Sequence, residues 1–188
     1  MKTQLLIFVL AMISYAGIAS NNPNALIEKS KSITVHTAMW KSQTIHAVMR
    51  DEAGNVLIDE TFENTKSLRK YNLKGLQDGN YVLELSNEFK IEETSFTIFR
   101  NEVIISPKVT TQFKPVMSTG DGYLDVNLLN LGSNASISIA DERNNVVFQQ
   151  KLDAPAVHKR FDLSKLAQGD YVATIWVNNK FYTKLITR

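Results

Sequence analysis

From about residue 30 onward, apolar and polar positions alternate with a period of two. In "TIHAVMR", Ile45, Ala47 and Met49 share one face, and in "SISIADE", Ile137 and Ile139 do the same. "YVLELS" sets Tyr81, Leu83 and Leu85 on one side, and "YVATIWV" sets Tyr171, Ala173, Ile175 and Val177 there. Successive side chains of a strand point to opposite faces, so each stretch reads as a half-buried β-strand. No part of the chain after the N-terminus shows a long apolar stripe at helical spacing. Short strands separated by turn residues about every 8–12 positions predict an all-β sandwich or barrel.

The pattern occurs twice. Shifted by 90 residues without a gap, "DEAGNV" (Asp51–Val56) falls on "DERNNV" (Asp141–Val146), Leu73 on Leu163 and Leu76 on Leu166. Gly79 falls on Gly169, Tyr81 on Tyr171 and Val82 on Val172. Gly54 falls on Asn144, and Gly and Asn are the residues that best tolerate a positive φ, so a left-handed hairpin turn is expected at both. Leu76-x-x-Gly79-x-Tyr81 and Leu166-x-x-Gly169-x-Tyr171 resemble the corner before a central strand of Ig-like sandwiches. There a buried Tyr bonds back to the backbone. The predicted architecture is two tandem Ig-like antiparallel β-sandwich domains, at residues 30–104 and 119–188. Residues 105–118 join them as a linker or edge strand, and the sequence leaves open which domain owns Glu102–Ser106.

The last hairpin, "VNNKFY", is read with a loop of Asn178, Asn179 and Lys180. That reading sets Val177 opposite Phe181, buries Phe181 with Leu185, and leaves Trp176 and Tyr182 as neighbours on the outer face. A shift by one residue would turn Lys184 inward, which is costly. Trp176 and Tyr182 are therefore the candidate binding residues, for a protein or a glycan, because exposed aromatic patches mark interfaces. Trp40 lies near a turn as a further exposed aromatic.

Residues for other chemistry are sparse. His36 and His46 are expected to face solvent from adjacent strands, with no carboxylate in support, so no metal site is assigned. The turn at Asp51 offers too few oxygens for calcium. Adjacent carboxylates at Asp59-Glu60 and Glu92-Glu93 point to opposite faces of a strand and cannot share one proton. No nucleophile elbow or phosphate loop is present, so no catalytic residue and no cofactor is assigned, and the expected role is not enzymatic.

Composition sets the compartment. Lys2 precedes an apolar run that ends in small residues, the order of a secretory signal peptide at residues 1–19, with cleavage after Ala19. The run is short for a membrane span, which needs about 20 apolar residues, so no span is expected after cleavage. Of twenty-one basic residues Lys2 is lost with the leader, leaving near balance against nineteen acidic ones, which argues against nucleic acid as partner. There is no cysteine, so each domain must be held by burial alone. The expected location is the periplasm, the cell surface or the extracellular space.

The stretch "ASISIADERNNVVFQQKLDAPAVHKRFDLSKLAQGDYVATIWVNNKFYTKLITR" is similar to the C-terminal sorting domains of the Bacteroidota type IX secretion system. Those domains run through a strand, a turn followed by Val-Val, a Leu-x-x-Leu, a Gly-x-Tyr and a final basic strand. The chain also resembles small secreted Ig-like β-sandwich proteins of that phylum, over residues 31–98 and 119–188. The resemblance implies an exported Ig-like sandwich and brings no catalytic residue. Three expectations for function follow: a non-catalytic structural, adhesive or protein-binding module, a protein whose second domain is a sorting signal, or a glycan-binding module using Trp176 and Tyr182.

Overall fold

The computed structural model describes residues 25–27, 31–38, 40–41, 44–63 and 68–188, and the expected leader at residues 1–19 lies outside them. The described residues form strands joined by turns, with every pairing antiparallel. In chain order the first strands are β1 (Ala25–Ile27), β2 (Ser32–His36), β3 (Thr44–Asp51) and β4 (Val56–Glu63). They are followed by β5 (Leu68–Asn72), β6 (Gly79–Ser86), β7 (Lys90–Phe99) and β8 (Glu102–Phe113). After Lys114-Pro115 come β9 (Val116–Gly120), β10 (Tyr123–Leu129), β11 (Ala135–Asp141) and β12 (Val146–Lys151). The chain closes with β13 (Ala156–Asp162), β14 (Asp170–Val177) and β15 (Lys180–Thr187).

Four sheets result, in the orders β1-β2-β5, β4-β3-β6-β7-β8, β13-β10-β9 and β12-β11-β14-β15. The first two enclose one core, with Ile33, Val35 and Tyr71 from the small sheet against Ile45, Met49, Leu83 and Ile98 from the large one. The other two enclose a second core, with Leu124, Val126 and Phe161 against Ile137, Ile139, Ala173 and Ile175. This is the layering of an Ig-like β-sandwich, and the alternation explains it. Each strand has one apolar face, and two sheets turn those faces toward one another. With no cysteine in the chain, these two apolar clusters supply the cohesion that a disulfide would otherwise reinforce.

Pairing decides the ownership of Glu102–Ser106. β8 runs antiparallel to β7, with Val103 opposite Ile98 and Ile105 opposite Phe96, and both Val103 and Ile105 are buried in the first core. The pairing continues past residue 104 to Phe113, so of the span 105–118, read as a linker or edge strand, the part up to Phe113 is an edge strand of the first sheet. Pro107 stands where the ladder is interrupted, between Ile105 opposite Phe96 and Val109 opposite Thr94. Proline has no N–H to give a ladder, which places it at such a bulge. β9 pairs with β10 from Val116 onward, ahead of the expected start at 119.

The turns after β3 and β11 have the same construction. Gly54 lies at φ +85° and Asn144 at φ +61°. The Asp51 carboxylate accepts from the backbone N–H and side-chain amide of Asn55 at 2.8 and 2.9 Å, and Asp141 accepts from Asn145 at the same distances. A bulge follows Met49 in β3 and Ile139 in β11. Hydrogen bonds from the Asn amides hold both carboxyls below the ordinary carboxylate value.

The last hairpin corrects the expected register. Asn178 and Asn179 both take positive φ, 51° and 59°, so the loop has two residues and Val177 pairs with Lys180. Two successive left-handed residues make a type I′ turn, whose twist matches that of the flanking strands, and Asn is among the few residues that accept it. Every side chain of β15 is thereby on the face opposite to the one expected. Phe181 and Leu185 are 70% and 62% exposed, while Ile186 is buried and Tyr182 packs against the second core. Lys184 does turn inward and is half-buried. The cost is small because β15 is the last strand of its sheet. An aliphatic stem at a sheet edge can lie along the core rim while its ammonium stays in water.

Two outcomes are expected. Asn178→Val, placing a β-branched residue in a left-handed position, should lower unfolding stability by about 1–2 kcal/mol, whereas Asn179→Gly should be neutral or stabilising in urea titrations. Asp141 has its folded pKa depressed below 3.8, so its contribution is present above that pH and is lost as pH falls through the folded pKa. The Asp141→Ala variant should therefore be less stable than the parent at pH 7, and the difference should shrink as the pH is lowered below about 4, followed by urea midpoints across pH.

Candidate functional site

The repeated Leu-x-x-Gly-x-Tyr segments form a corner in each sandwich. The N–H of Leu76 donates to the carbonyl of Leu73, and that of Leu166 to Leu163, each at 3.0 Å. The Tyr81 hydroxyl then donates to the Gln77 carbonyl at 2.8 Å, and the Tyr171 hydroxyl to the Ala167 carbonyl at 3.1 Å. Both rings are buried, and Tyr81 stacks on Phe96 with centroids 5.3 Å apart. Gly79 lies beside the Tyr81 ring, whereas Gly169 takes φ +150°. A basic side chain ties down each corner. Lys31 Nζ donates to the Leu76 carbonyl at 2.6 Å, and Arg188 donates to the carbonyls of Leu163 and Ser164 at 3.1 Å. The partners of Leu76, Tyr81, Leu166 and Tyr171 lie within the chain itself: its backbone, its core and, for the Leu76 carbonyl, the Lys31 ammonium.

The structure separates the two residues expected to form a binding patch. Trp176 pairs across the ladder with Phe181, and Ile175 pairs with Tyr182, so Trp176 and Tyr182 lie on opposite faces of the sheet. Burial raises the Tyr182 hydroxyl above its usual pKa, with a smaller contribution from the Glu84 carboxylate. The outer face of β14 and β15 instead carries Trp176 beside Phe181 and Val172 beside Leu185, separated by the pair Thr174 and Thr183. Val172, Phe181 and Leu185 are exposed. Sequence reading missed Phe181 and Leu185 as surface residues; the signal was the Asn-Asn pair, which sets a two-residue loop. The tip of this hairpin also touches the first sheet, where Lys180 Nζ lies 3.7 Å from Glu84 Oε2, and Arg50 donates to the same oxygen at 3.3 Å.

Other candidates resolve into local contacts. Trp40 is 2% exposed and lies beneath the Lys90 ammonium, 4.3 Å from its ring centroid, so it is a core residue rather than a surface aromatic. His36 and His46 lie in different sheets, not on adjacent strands of one. His46 Nε2 is 2.7 Å from Asp59 Oδ1, a carboxylate partner that spacing in the sequence did not reveal because β4 brings it across the ladder. Among the described residues no group of three or more His, Cys, Asp or Glu side chains could hold a metal ion.

A polar ladder runs along β10 and β13. Arg160 forks onto Asp125 with two hydrogen bonds of 2.7 Å and lies 3.9 Å from the Tyr123 ring centroid. That fork holds Asp125 below the usual carboxylate range. Below it opens a groove of about 590 Å³ lined by Gly120, Tyr123, Arg160, Ser164 and Arg188. Both guanidinium groups in that groove are already engaged, Arg160 by Asp125 and Arg188 by backbone carbonyls. A second groove, of about 570 Å³, lies over the first sheet between Asn80, Val82, Thr97 and Ile104. Among the described residues no helix is long and apolar enough to cross a membrane.

If the corners act as described, Tyr81→Phe and Tyr171→Phe should each cost about 1 kcal/mol of unfolding stability in chemical denaturation, the net value of one buried hydrogen bond. An unchanged midpoint in either variant would show that its hydroxyl contributes nothing.

Residues 120–188 match the family model of the secretion system C-terminal sorting domain. No curated protein matches the chain. Among solved structures, the BSP domain of a biofilm associated protein is 14% identical, with a TM-score of 0.30, over 87% of this chain and 29% of that one. A two-domain fibronectin type III segment from chicken tenascin is 10% identical, with a TM-score of 0.33, over 87% of this chain and 97% of the segment. A β-glucuronidase from an uncultured Clostridium sp. is 13% identical, with a TM-score of 0.27, over 83% of this chain and 34% of the enzyme. The chain thus spans less than a third of the biofilm associated protein. The family match starts at the last residue of β9 and takes in all of β10 to β15, so the part of the chain that is similar to sorting domains is the part built around the second core.

Proposed function

We propose that the chain is an exported, non-catalytic β-sandwich protein of two units, residues 31–113 and 116–188, the second of which directs secretion. The observation behind this reading is the coincidence of the family match over residues 120–188 with a set of strands that has its own core. A sorting signal read after export can be recognised by its folded surface, and a set of strands with its own core can present one. The first unit is then what is delivered: a structural, adhesive or protein-binding module. The ungapped 90-residue correspondence supports a common origin for the two units. A glycan-binding role would draw on Trp176 with Phe181, since the structure turns Tyr182 to the other face.

The test is a reporter fusion in a bacterium with a type IX secretion system. A reporter carrying a signal peptide and residues 116–188 should reach the cell surface or medium, and the same reporter without those residues should stay in the periplasm. Equal export of both would overturn the sorting role. Intact-mass measurement of the exported native chain then separates two forms of the reading: loss of the second unit makes it a cleaved signal, and a mass reaching Arg188 makes it a retained module.

A further inference from the structure

We infer that the free edge of β15 is an acceptor for an extended strand from a partner polypeptide, added antiparallel and carrying an acidic residue opposite Lys184. The first sheet shows how such an edge is completed. Its order β4-β3-β6-β7 is repeated by β12-β11-β14-β15, so β15 holds the place in its sheet that β7 holds in the other. In the first sheet a further strand, β8, covers β7 along nearly its whole length and buries Val103 and Ile105. Among the described residues no strand is hydrogen-bonded to the outer side of β15, and β9 only approaches it.

The groups that a strand would need are exposed and aligned. Arg188 and Gly169 exchange both backbone hydrogen bonds, at 2.9 and 3.1 Å. In an antiparallel ladder alternate residues make these paired bonds. By that alternation Tyr182, Lys184 and Ile186 bond to β14, whereas Phe181, Thr183, Leu185 and Thr187 turn their N–H and C=O groups to the open side. An incoming strand finds there a row of unmade backbone bonds, which is the chemistry of strand addition. It also finds apolar cover, because Phe181 and Leu185 stand exposed along the outer face of the same edge, beside Trp176 and Val172.

Charge selects the occupant. Lys184 points toward the core side and is only half-buried, and an inward charge on an edge strand discourages indiscriminate pairing. A second copy paired antiparallel through β15 and centred on Lys184 would set the two Lys184 side chains opposite one another, like charge against like, which disfavours self-association. A strand with a carboxylate across from Lys184 removes the penalty that excludes others.

The inference does not depend on the export role and is tested on the purified mature chain. The probe is a short acetylated peptide, Thr-Val-Thr-Glu-Thr-Val-Thr, with a lysine-centred version as control. Binding is read by fluorescence anisotropy, and the site by hydrogen exchange of individual amides. The glutamate peptide should protect the amides of Phe181, Thr183 and Leu185, and the lysine peptide should bind several-fold more weakly. Lys184→Glu should invert that preference. Thr183→Pro, which removes an outward N–H that the fold does not use, should weaken binding by at least about tenfold. Exchange on the parent chain decides the matter even if the proline variant does not fold. Peptide binding that leaves those amides unprotected, or no binding by either peptide, would overturn the inference. Protection of the same amides that rises with protein concentration alone would overturn it in favour of a second copy.

Discussion

The two left-handed asparagines that close the last hairpin set what the second sandwich shows to solvent. Side chains along a strand alternate with a period of two, so the length of a hairpin loop decides which half of the following strand is buried. With Asn178 and Asn179 as the whole loop, Ile186 joins the core, Phe181 and Leu185 go outside, and Lys184 comes to the rim. The same count fixes which backbone groups of β15 bond to β14 and which face the open edge. A loop one residue longer would bury Phe181 and Leu185 and put Tyr182, Lys184 and Ile186 on the outer face. The surface of this unit therefore rests on a turn of two residues whose left-handed geometry Asn tolerates better than most other residues.

This turn also marks the limit of what the sequence makes legible. The all-β class and the sandwich can be read from local information. "TIHAVMR" and "YVATIWV" alternate cleanly, and each turn announces itself through Asp, Gly or Asn. The register of β15 cannot be read in that way, because burial was judged by hydropathy. Phe181 and Leu185 look like core, and Lys184 looks excluded from it. That reasoning assumes a strand with neighbours on both sides. β15 is an edge, where a lysine stem is cheap to tuck under and where apolar side chains remain outside without unfolding anything. Whether a strand is central or terminal is a property of the assembled sheet, and the lysine that marks this edge can be read as inward only once the register is known.

The candidate contacts show the same division. Trp40 reads as a loop aromatic from its neighbours Lys41 and Ser42, yet it is buried in the first core, with Lys90 of β7 over its ring. Asp59 stands thirteen residues from His46, and only the β3–β4 pairing sets them 2.7 Å apart. The ownership of Glu102–Ser106 was open for the same reason. Its alternation makes a strand in either unit, and the partner is chosen by β7, which precedes it by a tight turn at Arg100 and Asn101, both at positive φ.

The two sandwiches then differ in one respect that matters more than their likeness. An uncovered strand edge is a standing hazard, since its unpaired N–H and C=O groups will accept any extended chain. In the first unit the chain covers β7 with β8 before it leaves, and the bulge at Pro107 makes β8 itself a poor template for further pairing. In the second unit nothing among the described residues follows β15 in its sheet, and a half-buried lysine guards the edge in place of a covering strand. A covering strand closes an edge permanently, whereas a charge closes it only to strands that cannot neutralise it. An edge defended by charge alone remains a surface that another polypeptide can read.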